Sequence, residues 1–244
     1  MISDEFRFKL LVKLGSLIHS EYPFKWSQLD WLRNPWFCNY LKKFGEERGF
    51  NKERRWILRE LMRLTETIPG DTAECGAFEG AGSYIICHAN AESPSYTRIH
   101  HIFDSFEGLS TPASMDGAYW RKGDMSRGED IVRKNLTGFS AYELHKGWIP
   151  ERFADVAEKR FAFVHIDVDL YQPTLDSMHF FYDRMNRGGI IVCDDYGFST
   201  CPGATKAVDE FLSDKAEKMI ALPDGGGFLI KGTPVSSHGA PSVR

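Results

Sequence analysis

Residues 161–195 read FAFVHIDVDLYQPTLDSMHFFYDRMNRGGIIVCDD, and this stretch decides the architecture. It opens with the apolar run Phe161–Ile166 and breaks on Asp167 and Asp169. From Pro173 to Asn186, Leu175, Met178, Phe181 and Met185 recur at helical intervals, and a second apolar run, 189–193, stops at Asp194 and Asp195. Short, fully apolar runs read as buried strands; the segment between them has a helical period, with Pro173 suited to a first turn and Gly188 and Gly189 ending it. Strand, crossover helix and strand make parallel neighbours. Both strands then deliver their acids to one end of the sheet, about 4.8 Å apart, where α/β proteins hold ligands. So many like charges need a cationic answer: Arg or Lys partners, or a hard divalent ion with oxygen ligands. The plainer alternative is that some of these acids cap helices or pair at the surface. His165, inside the strand, reads as a satisfied core histidine without a functional role.

The same alternation begins after Pro69 and Gly70, with further strands expected at Asp71–Cys75, His100–Phe103, Tyr142–Leu144, Lys218–Ala221 and Gly227–Ile230. From Asp4 to about Thr67 only helical spacing is present, as in Phe8, Leu11, Leu14, Leu17 and in Trp56, Leu58, Leu61, Leu64. The expected organisation is a helical N-terminal cap, 1–68, a core, 69–244, and a loose tail at 236–244, where SSHGAPSVR has little to bury. Trp26, Trp31, Trp36, Phe37 and Tyr40 pack together, line an acceptor pocket, or form a homodimer face. The stretch 108–130 is long, glycine-rich and without a period, as lids and disordered loops are.

The 244 residues are 42% hydrophobic and 26% charged, which is globular, and the net charge of −4 offers no footing for nucleic acid or an anionic membrane. The N-terminal stretch is unlike a signal peptide, and no apolar run is long enough to span a bilayer. Five cysteines, Cys38, Cys75, Cys87, Cys193 and Cys201, form no metal-type pairs and are odd in number, so reduced thiols and a cytoplasmic setting are expected.

AECGAFEGAGS, Ala73 to Ser83, is a strand end followed by Gly76, Gly80 and Gly82, where backbone passes close to a ligand and helix N–H groups face it. It lacks the paired glycines of a dinucleotide fingerprint. The strand in HHIFDSFEG ends on Asp104, whose carboxylate can accept from both hydroxyls of a ribose, or serve as a cap or turn residue. Together the two elements describe a pocket for an adenosine-type ligand.

The ordered set AECGAFEGAGS, IFDSFEGLS, the KGW of 146–148, IDVDLYQPTLDS and GGIIVCDDYG, within roughly 56–232, resembles the class I S-adenosylmethionine-dependent methyltransferases. The likeness is to the macrocin O-methyltransferase (TylF-like) group, which acts on sugar hydroxyls. The resemblance implies a three-layer, Rossmann-like α/β fold: a seven-stranded, mostly parallel sheet with an antiparallel last hairpin, helices on both faces and the helical N-terminal region. It also implies S-adenosylmethionine as cofactor, with Mg2+ or another hard divalent ion. It assigns cofactor binding to Glu74, Gly76, Ala77, Phe78, Gly80, Ser83, Asp104, Ser105, Phe106, Gly147, Trp148 and Asp167. The metal falls to Asp167, Asp194 and Asp195, and catalysis to Asp167 and to Asp169 as general base. The group often carries Asp-Gly-Asp where this chain has Asp167-Val168-Asp169; the valine leaves the acids in place and stiffens the turn. The implied acceptor is a small molecule or glycan: a natural-product sugar, a nucleotide sugar or a polysaccharide.

Methyl transfer from a sulfonium needs the acceptor oxygen in line with the S–methyl bond, so positioning supplies much of the rate. The loop 108–130, with Tyr119, Trp120, Arg121, Lys122 and Arg127, is either a lid whose cations bind a phosphorylated acceptor or a solvated loop. Three rivals stand beside this reading: a metal-dependent glycosyltransferase using Asp167-Val168-Asp169, a catechol-type small-molecule O-methyltransferase, and a non-catalytic binding module on the same fold. The first has no need of the upstream glycine turn or of Asp194 and Asp195.

Overall fold

The computed structural model describes residues 3–20, 24–26 and 29–236. The chain divides into two compact units, Met1–Lys52 and Glu53–Arg244. Most of the expected tail lies beyond 236 and outside the described residues. No helix among them is long and apolar enough to cross a membrane.

The first unit begins with α1 (Asp4–Ile18), capped by the Ser3 hydroxyl accepting from the Phe6 N–H at 3.2 Å. α2 (Pro35–Lys43) is capped by Asn34, which accepts from the Phe37 N–H, and has proline in its first turn. Phe37 and Tyr40 are buried and stack 5.7 Å apart, with Trp36 on Tyr40 at 5.8 Å and Trp31 tilted against Phe37 at 5.8 Å. These rings therefore pack on one another as a small aromatic core. The spacing of Leu11, Leu14 and Leu17 does specify a helix, yet all three stay exposed. Period dictates the helix; what covers it is a separate matter.

The second unit contains nearly all of α3 (Lys52–Leu64), then β1 (Asp71–Cys75), α4 (Ala81–Glu92), β2 (His100–Asp104), α5 (Glu129–Asn135), β3 (Tyr142–Lys146), β4 (Phe161–Ile166), α6 (Tyr171–Tyr182), β5 (Met185–Cys193), α7 (Pro202–Phe211), β6 (Ile220–Ala221) and β7 (Gly227–Ile230). One seven-stranded sheet runs in the order β3-β2-β1-β4-β5-β7-β6. The first five strands are parallel, while β7 is antiparallel to both β5 and β6. This is the expected α/β sheet with its reversed last hairpin.

Alternation along β1 sorts the helices onto two faces. Thr72 and Glu74 point to α4, where Asn90 donates to Thr72 and Ser83 to Glu74. Ala73 and Cys75 join the opposite core with Met178 and Phe181 of α6 and Val208 and Phe211 of α7. β4 is covered on both sides and all six of its residues are buried, which is why it reads as an unbroken apolar run.

One expected boundary is corrected. The helix anticipated from Pro173 to Asn186 ends at Tyr182, and Met185, the last of its periodic apolar residues, belongs to β5. Met185 pairs with Phe161, and the next partners are Phe163 and Ile190, so the intervening residues of β5 bulge. Gly188 (φ +85°) makes that turn, and a Cβ on Gly189 would press on the Ala162 carbonyl. The glycine pair bends a strand rather than ending a helix. The sixth strand is also shorter than expected, starting at Ile220.

Phe161 is fully buried, edge-on to Phe181 at 5.0 Å. Phe161→Ala is expected to lower unfolding free energy by about 3–5 kcal/mol in a denaturant titration, because the space it leaves cannot fully collapse.

Candidate active site

The turns that follow β1, β2, β3, β4 and β5 meet at the carboxyl end of the sheet. They carry, in order, 76–80, 105–106, 147–148, 167–169 and 194–195. Among the described residues, Phe78, Phe106, Met125 and Asp169 are the non-glycine positions with left-handed backbone, at φ +48°, +60°, +61° and +60°. Three of the four lie in these turns. Such conformations cost of order 1–3 kcal/mol each and gather at functional sites.

The glycine turn abuts the acidic turn of β4. At Gly76 (φ +82°) a Cβ would run into the Asp167 carbonyl and meet the Val168 side chain, so the position after β1 must be glycine. The Asp167 N–H donates to the Cys75 carbonyl at 2.9 Å, closing the contact. Val168 is buried, with its side chain against the glycine turn.

Asp104 sits at the end of β2 as a clamp. One carboxylate oxygen accepts from the N–H groups of Ala77 and Phe78, at 2.7 and 3.2 Å, and the other from Phe106 at 2.7 Å. These contacts are those of the turn residue held open as an alternative. Ser105 likewise builds its turn, donating to the Gly108 carbonyl at 3.2 Å and accepting from Glu107 at 3.1 Å. Gly147 (φ +142°) donates to the Asp104 carbonyl at 3.0 Å, and half-buried Trp148 follows it.

Glu74 and Ser83, both read from the sequence as lining the cofactor, are buried, and their side chains face inward. Ser83 donates to Glu74, whose other oxygen lies 2.8 Å from Nδ1 of His165. Nε2 of His165 lies 3.5 Å from Asp194, and Asp194 is paired with Arg54 of α3. Burial opposes charge on His165, but its bonds to Asp194 and Glu74 prevail and raise it to about 10. His165 is therefore a cation joining two strands, more than a neutral core residue. Gly82 makes room for this, since a Cβ there would strike the Glu74 carboxylate.

The four aspartates fall into two groups. Ligand atoms of Asp167 and Asp194 lie within 4.8 Å of one another and of His165; those of Asp169 and Asp195 do so with Cys201. Arg55 stands 4.0 Å from Asp167. One Asp195 oxygen accepts from the N–H groups of Val168 and Asp169, at 3.1 and 2.8 Å. Burial pushes Asp194 upward, but the Arg54 guanidinium beside it holds it well below the usual carboxylate range. The others go the opposite way. Burial, reinforced by the Asp194 charge, raises Asp167 to about 6; burial and the Asp167 charge raise Asp169 to about 7. Asp195, deeply buried beside Asp169 and Asp167, is also raised well above the usual carboxylate range. Two guanidiniums thus answer part of the repulsion and leave the rest.

The stretch 108–130 is tied down. Asp116 is buried, accepting from Tyr171 of α6 and from Ala113, each at 2.7 Å. Trp120 Nε1 donates to the Cys201 sulfur at 3.3 Å, and that thiol faces Asp169 at 3.6 Å. Arg127 pairs with Glu79 at 2.7 Å and lies over the Phe78 ring at 4.5 Å. Arg127 therefore serves the glycine turn, while Tyr119, Arg121 and Lys122 are exposed.

Sequence reasoning missed Arg54, Arg55 and the bridging role of His165. The only signal for the arginines was the uncompensated acidity, which called for a cation without saying from which helix. For His165 it was a polar residue at the centre of a fully buried strand.

A parallel sheet closed by a reversed hairpin, with acids at the ends of its two central strands beside a glycine turn, is a methyltransferase architecture. The crystal structure of a calicheamicin methyltransferase superimposes with a TM-score of 0.68 at 18% identity, covering 96% of this chain and 95% of that one. Residues 52–223 match the macrocin O-methyltransferase (TylF) family, and the chain belongs to that family of O-methyltransferases. It is 26% identical to the demethyldecarbamoylnovobiocin O-methyltransferase of Streptomyces niveus, over 68% of this chain and 67% of that protein. It is 25% identical to the 8-demethyl-8-(2,3-dimethoxy-α-L-rhamnosyl)-tetracenomycin-C 4′-O-methyltransferase of Streptomyces olivaceus, over 72% and 70% respectively. The glycosyltransferase reading is set aside by this membership.

Asp194 is 6% exposed, so removing its guanidinium partner leaves a buried charge with only the longer His165 contact at 3.5 Å. Arg54→Ala is expected to cost about 3–5 kcal/mol in chemical denaturation, and Arg54→Lys distinctly less.

Proposed function

We propose that this enzyme moves a methyl group from S-adenosylmethionine to a sugar hydroxyl, with a hard divalent ion such as Mg2+ at the carboxyl end of β4 and β5. The observation that carries the reading is the direct contact of Gly76 with Asp167 and Val168, which sets the donor's turn against the acids that would handle the acceptor. The sugar acceptor is supported by the Streptomyces olivaceus relative, whose name specifies a rhamnosyl 4′-oxygen.

The donor set suits a hard cation: Asp167 and Asp194 present carboxylate oxygens within 4.8 Å of one another, and Asp195, next in sequence, lies with Asp169 in the neighbouring group. Asp167, Asp194 and Asp195 would hold it. When bound, such an ion favours the alkoxide form of an acceptor hydroxyl, as metals do for bound water.

The remaining work falls to the chain itself. Asp169 accepts the acceptor's proton on a carboxylate oxygen; its left-handed backbone and its N–H bond to Asp195 hold the residue at the turn. Trp120, anchored on Cys201 beside Asp169, closes that side of the site against water. The glycine turn, braced by Asp104 and by Arg127 with Glu79, seats the donor so that its methyl group lies in line with the oxygen.

Labelled methyl transfer against a panel of glycosides and phenols, with and without chelator, tests this. Turnover on a glycoside that is lost with chelator and restored by Mg2+ is expected; chelator-insensitive turnover would remove the metal, and phenol-only turnover the sugar. Asp169→Asn should lower kcat by about 10²–10⁴-fold with donor affinity unchanged in calorimetry.

A further inference from the structure

A second constellation of ligand-type side chains lies outside the catalytic turns. His101 of β2 stands opposite Glu143 of β3 in the parallel register, and His145 follows two residues on, so strand alternation puts all three side chains on one face. This is the face away from His100, whose ring bonds Thr72 and Ser83 on the α4 side.

Nδ1 of His101 and Nε2 of His145 are 3.0 Å apart, and one oxygen of Glu143 lies 3.5 Å from the first and 3.9 Å from the second. A triangle with those edges has a centre about 2.0 Å from every corner, the length of a zinc–nitrogen or zinc–oxygen bond. The outward nitrogens are engaged as well. Nε2 of His101 faces Asp71 at 3.3 Å, and Nδ1 of His145 faces Asp155 at 2.9 Å. A neutral imidazole has one N–H, and a carboxylate calls it to the outer nitrogen. With each N–H turned to its outer carboxylate, the two inner nitrogens, 3.0 Å apart, present lone pairs that a cation between them would share. Carboxylate behind histidine is also the arrangement that fixes tautomer and ring orientation at metal centres. The rings are further held by packing, with Phe103 stacked on His145 at 4.5 Å and Phe161 edge-on to His101 at 6.0 Å.

We infer that His101, Glu143 and His145 form a binding site for a borderline transition-metal ion of the zinc type, separate from the carboxylates of β4 and β5. Two imidazoles and one carboxylate select such an ion over Mg2+. The histidine side chains are 0% and 8% exposed, whereas Glu143 is 54% exposed, so the ion enters from the Glu143 side and takes water as its fourth ligand.

The test is titration of the metal-stripped full chain with Co2+, followed by its visible ligand-field bands, then displacement by Zn2+ and a melting curve. Intense four-coordinate bands that saturate at one equivalent of Co2+ are expected, since an ion on the carboxylates of β4 and β5 gives only weak six-coordinate bands, together with a Tm raised by Zn2+. Glu143→Gln and Asp155→Asn should each weaken Co2+ binding by about 10–100-fold or more, while Asp167→Asn keeps the bands. Circular dichroism and the metal-free Tm of each variant verify folding. Wild-type affinity in both Glu143→Gln and Asp155→Asn, bands lost in Asp167→Asn instead, or no Co2+ bound would each overturn the site. The last would leave two histidines sharing a proton.

Discussion

A chain of alternating charge runs through the interior: Glu74, His165, Asp194 and Arg54, with Ser83 at its near end. It crosses β1, β4 and β5 at one level and ties the helix after the glycine turn to α3. Each carboxylate is buried and each is matched by a cation, so the links support one another and none is cheap to remove. The positions of Gly76, Asp167 and Asp195 all depend on those three strands keeping that register.

Around this chain the site is built against its own preferences. Burial, reinforced by neighbouring carboxylate charge, raises Asp167, Asp169 and Asp195, and Asp169, Phe78 and Phe106 keep a backbone conformation that side chains disfavour. Surrounding packing maintains this: Val168 against the glycine turn, Asp116 tying the 108–130 stretch to α6, and Trp120 on Cys201. Local strain that persists because its neighbours over-determine it is the usual mark of a preorganised site.

Much of this was legible beforehand, because the signals are local. Unbroken apolar runs ending in acids, set off by helical spacing, indicated parallel strands and the end at which their carboxylates meet. The glycine turn and Asp104 were legible as neighbours, though not that Asp104 clamps the turn through backbone N–H groups. Met185 was misread because an apolar residue at helical phase is equally an apolar residue at the start of a bulged strand, and only the pairing with Phe161 distinguishes them.

The sequence alone determined the strand–helix alternation, the glycine turn and the supply of acids, since each is written in near neighbours along the chain. Only the tertiary structure decided which cation meets which acid. Arg54 reaches Asp194 across 140 positions, Glu74 meets His165 across 91, and His101 meets His145 across 44. Such pairings are set by register and by the face onto which each side chain projects, and no local pattern of residues records either.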